Sequence, residues 1–130
     1  SFFPKSQRNG NQELKKVNDD YLDQVTLEYI GKLKQFSESI DSKLLVVFLP
    51  SKPQFVDSEY FDFNNRIETK LISELSEEGI PAIDLYDDFS TVIIENSLND
   101  IFYDDVHFTQ LGSSVASNSI VNYIQSNIEL

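Results

Sequence analysis

The sequence predicts an α/β domain in which a parallel sheet is flanked by helices, and three observations carry that expectation. "KLLVVFLP", residues 43–50, is a continuous apolar run rich in β-branched residues and stopped by Pro50. Such a run suits a strand covered on both faces, because a half-exposed strand alternates with polar residues. "IPAIDLY", residues 80–86, is a second short run of the same kind, with Asp84 near its C-terminal end. Between and around these runs lie segments with apolar residues at three- and four-residue steps, giving the order helix, strand, helix, strand, helix. That order predicts right-handed crossovers and parallel strands.

Residues 1–130 read as one unit opening with a polar lead-in arm, residues 1–18, in which Pro4 and Gly10 act as breakers. From there Leu22, Val25, Tyr29, Leu33, Phe36 and Ile40 recur on one helical face, with Asn18 or Asp19 available to cap the first turn. A loop, "SKPQFVDSEYFD", follows the first strand. The second helix carries Ile67, Leu71, Ile72 and Leu75 on its inner side and ends at Gly79, a natural C-terminal cap. "DDFSTVIIENSL" is either a short helix or an irregular turn, since its β-branched cluster weakens helix propensity. Thr109 is placed to cap a last helix whose inner face carries Leu111, Val115, Ile120, Ile124 and Ile128. Two strands are few for such a sheet, whose edges need covering. The arm, a partner chain or a homo-oligomer formed through the exposed sheet edge would supply the missing neighbour, or the residues are the C-terminal portion of a larger domain.

Composition narrows the function classes. Ten Lys and Arg stand against 22 Asp and Glu, a formal charge of −12 that repels phosphate backbones and anionic membranes. No nucleic-acid partner and no membrane span are therefore expected, the latter because no apolar run is long enough. The absence of cysteine excludes thiolate nucleophiles and Cys-ligated metals.

The chemistry-bearing stretch is "YDDVHFTQLG", residues 103–112, which holds the single histidine. A general base working near neutral pH is most readily an imidazole, so catalysis of that type must run through His107. An imidazole base needs a carboxylate on its other nitrogen to fix the tautomer. Asp104, three residues earlier, supplies one if the chain makes a tight turn; Asp105 is the poorer orienter. A loop before the last helix can lie beyond the C-terminal ends of parallel strands, where ligand sites gather. An acidic solvated loop is the bland alternative. Asp104, Asp105 and His107 also offer metal donors, but three ligands from one short loop seldom complete a site, and no metal or other cofactor is expected.

Taken together, "KLLVVFLPSK", "FNNRIETKLISELSEEGIPAIDLYDDF" and "FYDDVHFTQLGSSVASNSIVNYI" resemble the C-terminal half of the SGNH hydrolases, the GDSL esterase and lipase superfamily, over about residues 20–125. Asp104 and His107 match the family's D-x-x-H positions, Gly112 the glycine after it, and Ala116 falls in the helix that follows. The resemblance implies a three-layer, flavodoxin-like fold, incomplete in these residues. It further implies serine-dependent hydrolysis or transfer of an acyl group, with a small-molecule ester or acylated carbohydrate as substrate. The family's Gly-Asp-Ser block is absent, "GxND" is not present near Asn9 and Asn11, and the residues before the first strand are too few for two strands and a nucleophile elbow. Ser51, at the end of the first strand, and Lys52 are candidate substrate-binding residues, since "LPSK" is similar to relatives that acetylate exopolysaccharides. Ser51 is also the best-placed substitute nucleophile, ahead of Ser1, whereas capping explains Ser113 and Ser114. The competing expectation is a non-catalytic α/β module that binds a partner protein.

Overall fold

The structure, a computed structural model, describes residues 5–56 and 67–129, with side chains described from Tyr21 onward, Leu22 excepted. The end of the loop after the first strand, residues 57–66, lies outside the described residues, as does the part of the resemblance that falls on it. Contacts divide the chain into two units, Ser1–Leu44 and Leu45–Leu130.

The first unit is a single helix, α1 (Lys5–Ser39), which takes in most of the segment read as an arm. Gln, Lys and Glu are good helix formers, and one Gly in a helix interior costs only about 1 kcal/mol. The apolar stripe that the periodicity picks out is open: Tyr29, Leu33 and Phe36 on α1, and Ile40 just past its end, are each more than half exposed. A lone helix has no second element in its own unit to cover such a stripe.

The second unit holds β1 (Val46–Phe48), α2 (Pro53–Val56), α3 (Ile67–Glu77), β2 (Ala82–Asp84), α4 (Tyr86–Glu95), α5 (Leu98–Ile101) and α6 (Gln110–Asn127). The strands are parallel, with Val46 opposite Ala82, Val47 opposite Ile83 and Phe48 opposite Asp84. The fold is thus mixed α/β, mostly helical, around a two-stranded parallel sheet. Full coverage of both strand faces was expected, yet all six strand residues are half-buried, because among the described residues each strand has a neighbour on one side only.

Local chemistry explains how the chain enters and leaves these strands. At the end of α3 the Ile80 N–H donates to the Leu75 carbonyl and the Gly79 N–H to that of Ser76, while Gly79 takes a φ of 70°. This is a Schellman closure, in which the left-handed residue favours glycine. It delivers Ile80, buried like Leu71 and Leu75, into β2. At the other end of β2 the Asp84 carboxylate accepts the Tyr86 N–H at 3.0 Å and so satisfies a donor at the start of α4. The segment left open between helix and turn is helical, since its β-branched residues Val92 and Ile93 pack against the core. Packing overrides a weak local preference.

The core is Leu85, Phe89, Ile101, Phe102 and Ala116. Phe89, Phe102 and Phe108 form a ring cluster, with centroids 4.9 Å apart for Phe89 and Phe108 and 5.4 Å for Phe102 and Phe108. Phe55 joins it, stacked on Tyr86 at 4.7 Å and tilted against Phe102 at 5.9 Å. Helix α6 meets this core with small residues: Gly112 and Ala116 are buried, whereas Leu111, expected on the inner face, is 42% exposed. The reason is steric. A Cβ on Gly112 would run into the carbonyl oxygen of Ile101 and lie 3.0 Å from Cβ of Phe108, so only glycine lets the first turn of α6 press against the end of α5. The variant Gly112→Ala should therefore lower the urea midpoint by an amount equivalent to about 1–3 kcal/mol, the usual range for overpacking, with an unchanged m-value. An unaltered midpoint would show that α6 stands off from α5.

Candidate functional site

The loop between α5 and α6, residues 103–107, is pinned at both ends. Phe102 and Phe108 pair as an isolated antiparallel bridge, the Tyr103 N–H donates to the His107 carbonyl at 2.8 Å, and the Thr109 N–H donates to the Ile101 carbonyl at 3.0 Å. Both phenylalanines belong to the aromatic core, so their side chains hold the loop's ends in the interior while its middle stays in solvent. Thr109 does the work expected of it: its hydroxyl oxygen accepts the Gly112 N–H at 3.2 Å and its O–H reaches the Asp100 carbonyl at 2.5 Å.

Inside that frame Asp104 and His107 meet. One carboxylate oxygen of Asp104 accepts the backbone N–H groups of Val106 at 2.9 Å and His107 at 2.8 Å, an Asx-type turn that folds the loop back on itself. Imidazole Nδ1 of His107 lies 2.9 and 2.8 Å from the two carboxylate oxygens. The Asp104 carboxyl is held down to about 2, from an ordinary 3.8, first by the Val106 amide, then by the amide and the ring of His107. It is an anion at any physiological pH. An anion against Nδ1 makes that nitrogen the protonated one, and with the side chain 73% exposed Nε2 is the atom open to a reacting group.

The site sits at the C-terminal edge of the parallel strands. The chain leaving β1 passes Pro50, Ser51 and Lys52, and the Lys52 N–H donates to the Asp105 carbonyl at 2.9 Å. Asp105, the poorer orienter in the sequence, thus contributes its backbone as the tether between the two loops. Lys52 also donates from Nζ to Asn99 Oδ1 at 3.0 Å, linking the same loop to α5. Ser51 is half-buried. Its N–H donates to Gln54 Oε1 at 2.9 Å, and among the described residues no hydrogen bond joins its hydroxyl to His107. Gln54, itself buried, and Asn99 are the two residues that sequence reasoning missed. Their roles depend on partners remote in the chain, and no short motif marks them.

Two large apolar side chains flank the imidazole in the loop, Tyr103 at 80% and Val106 at 64% exposure. Among the described residues no group of three or more His, Cys, Asp or Glu is arranged to hold a metal ion, and no helix is long and apolar enough to cross a membrane. The chain matches no protein-family model, no curated protein and no solved structure.

Because the chain has one histidine, its tautomer is readable without assignment. Long-range 1H–15N spectra above the imidazole's titration should show the Nδ1–H form, against the Nε2–H form that a free side chain prefers. Asp104→Ala should restore the latter, whereas Asp105→Ala should not. The acid limb follows from the lowered carboxyl. A depressed folded-state value means that the ordering due to Asp104 is complete above the ordinary carboxylate range and is lost as pH falls from about 4 toward about 2. The 13C shift of the Asp104 carboxyl should follow that course, and a midpoint near 3.8 would refute the turn geometry.

Proposed function

We propose that Asp104 and His107 form the acid–base half of a serine-dependent ester hydrolase or O-acyltransferase of the SGNH type, whose three-layer, flavodoxin-like sheet is here represented by β1 and β2. The observation that carries this reading is the pair itself: Nδ1 bound to a carboxylate whose second duty is to fix its own loop, with the other ring nitrogen left open, at the C-terminal edge of parallel strands. That is the arrangement a serine nucleophile requires of its base. The D-x-x-H spacing and the glycine at 112 agree with it.

The chemistry follows from the geometry. Nε2 of His107 takes the proton of a serine hydroxyl as the oxygen attacks an acyl carbonyl, the Asp104 anion stabilises the imidazolium, and the proton then passes to the leaving alkoxide. Water or an acceptor hydroxyl resolves the acyl-enzyme by the reverse sequence. The serine and its oxyanion hole are supplied by residues other than those described here, because Ser51 has no hydrogen bond to the ring. Lys52 and Ser51 line the approach from β1, and Lys52 offers its charge to an anionic part of the substrate.

The test is a p-nitrophenyl acetate assay on two proteins. The 130-residue chain alone should show no turnover that depends on His107. A polypeptide joining this chain to a Gly-Asp-Ser block should hydrolyse the ester, and His107→Ala should reduce its kcat by about 10^3-fold or more, with Asp104→Ala losing a comparable factor. Activity in that longer protein which survives His107→Ala sinks the proposal, and His107-dependent turnover by the short chain moves the nucleophile inside it.

The alternative, a non-catalytic module that binds a partner protein, is favoured by the open apolar stripe Tyr29, Leu33 and Phe36 on α1, continued by Ile40. It gives no reason for the imidazole to be held by Nδ1.

A further inference from the structure

The open stripe of Tyr29, Leu33, Phe36 and Ile40 advances by steps of four, three and four residues. Tyr29 and Phe36 therefore stand one heptad apart, as do Leu33 and Ile40. That 3.5-residue repeat is the seam of two packed helices, with Leu33 and Ile40 at the a positions and Tyr29 and Phe36 at the d positions. Ile40 keeps to the stripe although α1 ends at Ser39, because its N–H still donates to the Ser37 carbonyl at 3.3 Å. The chain turns away only at Asp41, whose φ is 55°. Two aromatic rings and two aliphatic side chains, each more than half exposed, present on the order of 500 Å² of apolar surface. A patch of that size is as large as the largest on most monomers and marks an interaction surface.

We infer that a second copy of this chain covers the stripe, α1 packing antiparallel against α1 about a two-fold axis. The first argument is self-complementarity. Reversing one helix sets each a position opposite a d position, so the layers are Tyr29 with Ile40, Leu33 with Phe36, and the same two again beyond the axis. Every layer then holds one ring and one aliphatic side chain, and the seam has an even width. A parallel pair would alternate ring on ring with aliphatic on aliphatic, leaving wide and narrow layers that cannot all close. The second argument is charge. Glu28 pairs with Lys32 at 3.4 Å and Lys34 with Glu38 at 4.0 Å, so the helix beside the stripe carries two charges of each sign and no net charge. The whole chain carries −12. Two such chains repel one another over most approaches, and this face is one where they do not, whereas a basic foreign partner finds no anionic field here to draw it. The patch falls short of the roughly 800 Å² per partner of a standard stable interface, so the pair is weak and forms with concentration. The inference stands apart from the Asp–His reading, since no residue is shared between the two.

The test is sedimentation of the whole 130-residue chain over a concentration series. The weight-average mass should rise from that of the monomer toward twice that value, with a Kd on the order of 10–100 μM. Leu33→Glu combined with Phe36→Glu, both at exposed positions and both to a good helix former, should raise the Kd about tenfold or more. Ile94→Glu, which places the same charge on a side chain 84% exposed elsewhere, should leave it unchanged. Far-ultraviolet circular dichroism of each variant reports that it is folded. Direction is read separately. The chain has no cysteine, so Gln24→Cys takes a single spin label, and in the antiparallel pair the two labels lie about 30 Å apart along the axis, at about 1.5 Å per residue. Labels side by side would mean a parallel pair and overturn the inference. A chain that stays monomeric up to about 1 mM overturns it too, leaving the stripe to another protein, and so does a dimer indifferent to the Leu33 and Phe36 changes, which would move the contact to the sheet edge.

Discussion

The site depends on one packing constraint, the closure of a five-residue loop by two phenylalanines that share the core. Phe102 is 1% exposed and touches Phe55, Phe89 and Phe108, so both ends of residues 103–107 are fixed in the aromatic core. An exposed ion pair between Asp104 and His107 would by itself contribute little, since such pairs are worth roughly 0–1 kcal/mol and give up side-chain entropy to form. The pair is ordered because the core fixes its backbone. The aromatic contacts, each worth about 0.5–1.5 kcal/mol beyond simple burial, hold the loop, and the carboxylate then has two amides and a ring within reach with only side-chain ordering left to offset. Gly112 belongs to the same constraint, because it lets α6 start directly against Ile101 and so brings Phe108 over Phe102.

How much of this the sequence discloses follows from how local each interaction is. The D-x-x-H spacing is legible because a carboxylate and an imidazole three residues apart meet whenever the chain makes one tight turn. Thr109 as a cap, Gly79 as a terminator and the two parallel strands are legible for the same reason, since each rests on near neighbours or on a run of apolar residues. The three-residue length of each strand was not, because pairing stops where the partner stops. The stripe on α1 is legible only in part: periodicity fixes that Tyr29, Leu33 and Phe36 share a face, but it carries no information on whether anything covers them. Leu111 fails likewise. Helix α6 is oriented by the smallness of Gly112 and Ala116, a steric fact that a hydrophobic count overlooks.

Remote side chains escaped altogether. Gln54 holds the turn after β1 through the Ser51 amide, and Asn99 holds Lys52 from 47 positions away. Neither has a motif, and Gln54 is a polar residue in a buried position, which composition alone would assign to the surface. Its burial is tolerated because both ends of its amide are bonded, Oε1 to the Ser51 N–H and Nε2 to Glu68.

The tether between Lys52 and Asp105 is what turns two loops into one edge. Without it the Asp–His loop would be a local structure, correctly folded but unrelated to the strands. With it, the backbone leaving β1 and the backbone entering α6 are joined at 2.9 Å, and the position of the imidazole is set relative to the sheet. A base positioned against a strand end can serve a nucleophile carried on a neighbouring strand of the same sheet, because parallel strands deliver their C-terminal loops to one side. The side of β1 or β2 left without a strand among the described residues is where such a neighbour would pair.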